Sequence, residues 1–111
     1  MECSLAKKQC TPCKGGTPPL QDTALTALMG GLASGWLLVD NQRIDKEFKF
    51  KDFREALDFT NAVGEIAETE NHHPDIQLGW GKVVISLSTH KIHGLTENDF
   101  ILAAKIDALG A

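Results

Sequence analysis

At 111 residues the chain is sized for one domain, and 42% apolar residues predict a packed core rather than disorder. Fifteen acidic against eleven basic side chains give a net charge of −4, which excludes a general nucleic-acid or anionic-membrane binder, since either needs a basic face. No apolar run reaches spanning length and the start MECSLAKKQC lacks a signal-peptide core, so a cytoplasmic protein is expected.

Residues 1–19 read as a flexible leader and 20–111 as a single domain. The leader holds all three cysteines, Cys3, Cys10 and Cys13. CTPC is a Cys-x-x-Cys pair, compatible with a redox dithiol or half of a zinc site. A ribbon would need a second pair, and the following KGGTPP is not the strand-to-helix junction of a thioredoxin. Reduced thiols on a mobile tail are the plainer reading.

Beyond it, QDTALTALMGGLAS spaces Leu25, Leu28, Met29 and Leu32 as a helix, with Asp22 or Thr23 to cap it and Gly30–Gly31 weakening it. GWLLVD reads as a buried strand, and RIDKEFKF as a strand with Ile44, Phe48 and Phe50 on one side, the two forming a hairpin. KDFREALDFTNAVGEIAETEN predicts a helix capped by Asp52, with Phe53, Leu57, Val63 and Ile66 as its apolar stripe. It must end near Asn71, because His73 precedes Pro74 and is pushed toward extended geometry. DIQL and KVVISLSTH are strands around the turn GWGK, with Val83, Ile85 and Leu87 facing opposite to Val84, Ser86, Ser88 and His90. LTENDFILAAKIDAL opens on the capping-box pattern Thr96-x-x-Asp99 and carries Phe100, Ala104 and Leu109 among its apolar residues. The order α-β-β-α-β-β-α predicts an α+β fold, a four-stranded antiparallel sheet with three helices on one face. The other face is then open, with His90 on it or at the strand end.

All four histidines fall between 72 and 93: His72, His73, His90 and His93. Metal binding is one reading, but neighbours in extended chain diverge and the i, i+4 spacing of helical zinc sites is missing. A structural reading puts His72 and His73 at a helix C-terminus, where the dipole favours them. The third reading is acid–base catalysis, since imidazole titrates near ~6.5 and both donates and accepts protons at neutral pH. A carboxylate beside one ring favours its protonated form, and Glu68, four residues before His72, is placed to supply one. Spacing alone leaves these readings open.

The residues resemble the pterin-4a-carbinolamine dehydratases. That family's pattern is an acidic residue, three residues, His-His-Pro, five residues, an aromatic, nine residues, a histidine, eight residues and an aspartate. Glu68, His72, His73, Pro74, Trp80, His90 and Asp99 stand at those spacings. STHKIHGLTENDFILAAKID, the GW pair, FKFKDFREAL and the leader's CKGGTPPL look familial too, so the likeness spans about residues 13 to 109.

The resemblance implies an α+β fold and elimination of water from a 4a-hydroxytetrahydropterin. The product is the quinonoid dihydropterin, recycled as the cofactor of aromatic amino-acid hydroxylases. No metal or redox cofactor is implied; the tetrahydropterin adduct is the substrate. It implies His72 and His90 as general acid and base, Glu68 as the group that tunes the neighbouring imidazole, and His73, Ser88 and Thr89 as pterin-binding residues. Pro74, Trp80 and Asp99 each have a structural reading beside the familial one: helix terminator, packing or interface, and helix cap. Members assemble as dimers or tetramers, so a homodimer or homotetramer is implied, with a functional link to a hydroxylase.

Two departures stand out. Ile76 replaces a tryptophan that walls the pterin in many members, and His93 replaces a small residue before the GLT segment. Other relatives act as transcriptional coactivators or assist rubisco assembly; the assembly branch tends to lose the catalytic set, which is retained here.

Overall fold

The computed structural model describes residues 20–89, 92 and 94–109. The leader with its three cysteines, and with it CTPC, lies outside the described residues, as do His90 and His93. The elements are α1 (Asp22–Met29), β1 (Leu37–Val39), β2 (Arg43–Lys49), α2 (Phe53–Glu70), β3 (Asp75–Gly79), β4 (Lys82–Leu87) and α3 (Glu97–Asp107). They form the expected α+β architecture, a four-stranded antiparallel sheet and three helices in the α-β-β-α-β-β-α order.

Both hairpins form, and the sheet runs β1-β2-β4-β3, so the hairpins join through an antiparallel pairing of β2 with β4. Its register sets Ile44 opposite Leu87 and Phe48 opposite Val83. Asp40 and Asn41, both left-handed at φ 53° and 55°, close the first hairpin with Gln42 N–H donating to Val39 O at 2.9 Å. Asp and Asn tolerate that region better than most side chains. At the other hairpin a Cβ on Gly81 would lie 2.8 Å from the Phe50 carbonyl, so only glycine permits Phe50 N–H to donate to Gly81 O.

The alternation along β4 works as the sequence predicts. Val83, Ile85 and Leu87 are completely buried beneath the helices with Ile44 and Phe48 of β2, while Val84 and Ser86 are half-exposed. Leu25 of α1, Ala56, Phe59 and Val63 of α2, and Phe100, Leu102, Ala103 and Ile106 of α3 complete the core. The Phe59 ring lies tilted against Phe48 and Phe50, at centroid distances of 4.7 and 5.1 Å.

Three local expectations need correction. The α1 cap is Gln21, not Asp22 or Thr23, and it makes no side-chain capping bond. GWLLVD is not a buried strand: Trp36 is buried, but Leu37 is 67% exposed, because β1 is an edge strand of three residues. Of the expected α2 stripe, Val63 is buried and Ile66 packs partly buried against the core, but Phe53 is exposed; Ala56, Phe59 and Ala67 are the other buried positions, two of them alanines that a reading weighted to large side chains overlooks. Along α3, which ends at Asp107, Phe100, Ile101, Leu102, Ala103 and Ile106 are buried, while Ala104 is half-buried and Leu109, beyond the helix, is exposed.

Lys46 is the one charged residue on the inward side of β2, between Ile44 and Phe48. Its Nζ lies 2.8 Å from Asp107 Oδ1 at the end of α3 and 4.8 Å from the Phe48 ring centroid. Asp107 Oδ2 accepts from Trp36 Nε1 at 3.0 Å and Ala33 N–H at 3.2 Å. A buried ion pair needs such extra hydrogen bonds to offset its desolvation, and this one ties the segment after α1, β2 and α3 together. Among the described residues no helix is long and apolar enough to cross a membrane.

Candidate active site

The site begins with how α2 starts and stops. Asp52 Oδ1 accepts from Glu55 N–H at 2.9 Å, the expected N-cap. At the other end Asn71 turns left-handed at φ 54°; its N–H reaches Glu68 O at 3.3 Å, and His72 N–H reaches Ala67 O at 3.2 Å. These two bonds make a Schellman motif, in which Asn is the usual substitute for Gly. It fixes the backbone of His72, and Pro74 then holds the chain extended into β3.

The two rings part, as neighbouring residues in extended chain must. His72 turns inward: its Nε2 lies 2.6 Å from Asp99 Oδ1, with the ring 13% exposed and the carboxylate completely buried. His73 turns outward and back, its Nε2 2.6 Å from Glu68 Oε2, both side chains largely exposed. Glu68 is therefore the partner of His73, whereas the sequence spacing pointed it at His72. An ion pair in water contributes little to stability. Its effect is to orient His73.

Asp99 is both helix cap and partner of His72. It sits at the third position of α3, where the helix N-terminus favours negative charge. Its Oδ2 accepts from Thr96 N–H at 3.0 Å, one arm of the capping box, and from Thr89 Oγ1 at 2.8 Å. Thr96 Oγ1 lies 3.0 Å from Thr89 Oγ1. The two readings of Asp99, cap and site residue, are one arrangement: the cap bonds aim Oδ1 at His72.

Thr89 lies just beyond β4 and is 3% exposed. It shares the inward parity of Val83, Ile85 and Leu87, a signal visible in the sequence that sets it apart from Ser88 on the half-exposed side. Its N–H donates to Gly94 O at 2.7 Å, and its carbonyl accepts from Ile92 N–H at 3.2 Å, so Gly94 lies bridged to Thr89. Ile76 is half-buried on β3 against the core. Trp80, at the β3–β4 turn, is 71% exposed and on the far end of β3 from the histidine pair, so it packs against none of the described site residues. Among the described residues no three His, Cys, Asp or Glu side chains form a metal-holding group.

The site is thus a small α+β domain in which a buried carboxylate holds one imidazole and an exposed carboxylate holds the next. Known proteins place this domain in a family. The family model described as pterin 4 alpha carbinolamine dehydratase matches residues 18–109. A Rubrobacter xylanophilus protein provisionally named pterin-4-alpha-carbinolamine dehydratase is 56% identical over 105 residues, 95% of this chain and 97% of that one. An Alkaliphilus metalliredigens protein with the same provisional name is 50% identical, over 94% of each chain. The chain belongs to the pterin-4a-carbinolamine dehydratase family.

Among solved structures, a transcriptional coactivator/pterin dehydratase from Brucella melitensis superposes with a TM-score of 0.77 at 33% identity, covering 84% of this chain and 99% of that one. A pterin dehydratase-like protein identified as a RuBisCO assembly factor of the alpha-carboxysome superposes less well, with a TM-score of 0.59 at 25% identity over 69% of this chain and 90% of that one.

Proposed function

We propose that the protein is a 4a-hydroxytetrahydropterin dehydratase working by histidine acid–base catalysis. The observation that carries this reading is His72 fixed by the buried Asp99 next to His73 fixed by Glu68, in a chain 56% identical to a relative provisionally named for the activity.

Hydroxide is a poor leaving group, so it must be protonated as it departs. One imidazolium gives its proton to the C4a hydroxyl oxygen while the C4a–O bond breaks. The N5 lone pair forms the N5–C4a double bond, and a second imidazole removes the proton left on N5. Water and quinonoid dihydropterin result; the acid has lost the proton that the base has gained, so the pair is ready again once that proton is passed back. His72 and His90 take these two roles. His73 holds the pterin with help from Ser88, and Glu68 sets the angle of the His73 ring. No cofactor besides the substrate enters.

The physiological role that follows is recycling of the tetrahydropterin of an aromatic amino-acid hydroxylase in the cytoplasm, by a homodimer or homotetramer. The test is stopped-flow dehydration of synthetic 4a-hydroxytetrahydropterin, with the spontaneous reaction as baseline. Acceleration in proportion to protein concentration supports the reading, and decay at the buffer rate alone refutes it.

A binding role is the second reading, favoured by the likeness to the Brucella melitensis transcriptional coactivator/pterin dehydratase. It predicts that substitution of His72 leaves the cellular role of the protein intact.

A further inference from the structure

Thr89 occupies a position that neither the cap of α3 nor the pterin-binding role explains. Its hydroxyl faces inward at 3% exposure and gives its proton to Asp99 Oδ2 at 2.8 Å. Thr96 N–H donates to the same oxygen at 3.0 Å. An oxygen receiving two donors does not itself carry a proton, and the remaining oxygen, Oδ1, faces His72 Nε2 at 2.6 Å. A buried carboxylate so held asks for a third donor, and among the described residues His72 Nε2–H is the one facing Oδ1.

Through its backbone Thr89 also bonds to Gly94 O and to Ile92 N–H, and His90 follows it directly in the sequence. One residue thus touches the carboxylate behind His72 and begins the segment that carries His90.

We propose that Thr89 is a positioning residue of the reaction: its hydroxyl holds Asp99 so that His72 is protonated at Nε2, leaving Nδ1 as the atom that exchanges a proton with the pterin. The proposal deepens the acid–base reading and rests on it for its kinetic consequences. It makes the Thr89 hydroxyl a partner of protein and not of substrate.

Two measurements test it. The first is the nitrogen-15 spectrum of the full chain with labelled histidine, the His72 signals being assigned by their loss in His72→Ala. The neutral ring is expected to show a protonated Nε2 and a bare Nδ1; the opposite tautomer overturns the proposal. This spectrum needs no turnover, so it decides the tautomer even if the protein proves not to dehydrate pterins.

The second compares Thr89→Val, which keeps the shape and removes the hydroxyl, with Thr89→Ser, which keeps the hydroxyl. Thr89→Val is expected to lower kcat roughly tenfold with KM nearly unchanged and to disturb the His72 nitrogen signals. Thr89→Ser should restore both. A Thr89→Val variant with raised KM and unaltered kcat would make the hydroxyl a pterin ligand and sink the proposal. Should Thr89→Val not fold, a Thr89→Ser variant that loses kcat or the tautomer serves to reject it.

Discussion

The backbone N–H of His72 donates to the carbonyl of Ala67 across a left-handed Asn71, so the end of α2 and the placing of the first site imidazole are one structural event. Asn71→Gly is expected to leave stability and turnover nearly as they are, because glycine enters this region freely. Asn71→Val should cost about 1–2 kcal/mol, the penalty of left-handed geometry for an ordinary side chain, and lower the rate by loosening His72. Urea denaturation and steady-state kinetics on the two variants check this; equal stability of both would disprove the coupling.

Asp99 is expected to be a costly polar residue to remove. Asp99→Ala leaves His72, the Thr89 hydroxyl and the Thr96 N–H without their acceptor in a buried place. A stability loss of about 3 kcal/mol follows, since each stranded buried group costs about 1–3 kcal/mol and some regain water. Asp99→Asn keeps the shape but not the charge, and should fold better than Asp99→Ala while still losing most activity. An Asp99→Asn variant with full kcat would reduce Asp99 to a helix cap.

Much of this site is legible in the sequence because its parts are local. Pro74 marks where α2 stops, the Asp52 cap and the Thr96–Asp99 pattern announce helix starts within a few residues, and parity along β4 separates Val83, Ile85 and Leu87 from Ser86. The long-range relations are not legible that way. His72 meets Asp99 across 27 residues, and Lys46 meets Asp107 across 61, contacts set by the packing of α3 on α2 and the sheet. Spacing on one helix suggested Glu68 for His72, yet the left-handed turn at Asn71 swings His72 inward and leaves Glu68 to His73. Leu37 and Leu38 read as buried because apolar runs usually are; that β1 is a short edge follows only from the β2–β4 pairing.

Lys46 and Asp107 hold the opposite side of the core. Asp107→Ala should destabilise the protein by about 3 kcal/mol, because the Lys46 ammonium, at 13% exposure, loses its partner while Trp36 Nε1 loses its acceptor. Lys46→Met, which removes the charge and fills the same space, should cost clearly less. Thermal melts of the two variants supply the comparison. Asp107→Ala no less stable than Lys46→Met would mean the pair is already well hydrated.

The exposed Leu37 on β1, and sheet edges at β1 and β3 that carry no further strand among the described residues, support self-association. Light scattering at micromolar concentration is expected to give the mass of two or four chains, and Leu37→Glu to shift it downward if β1 is the edge used. A monomer across the whole concentration range would exclude the homo-oligomer.

The account depends most on paired imidazoles that move the two protons of a dehydration. The most direct measurement is stopped-flow decay of 4a-hydroxytetrahydropterin with the native chain and with the His72→Ala/His90→Ala double variant, both checked as folded by circular dichroism. Loss of general acid–base groups is typically worth about 10²–10⁴-fold each, so the double variant should fall close to the spontaneous rate. A folded double variant that dehydrates the adduct as fast as the native protein contradicts the account.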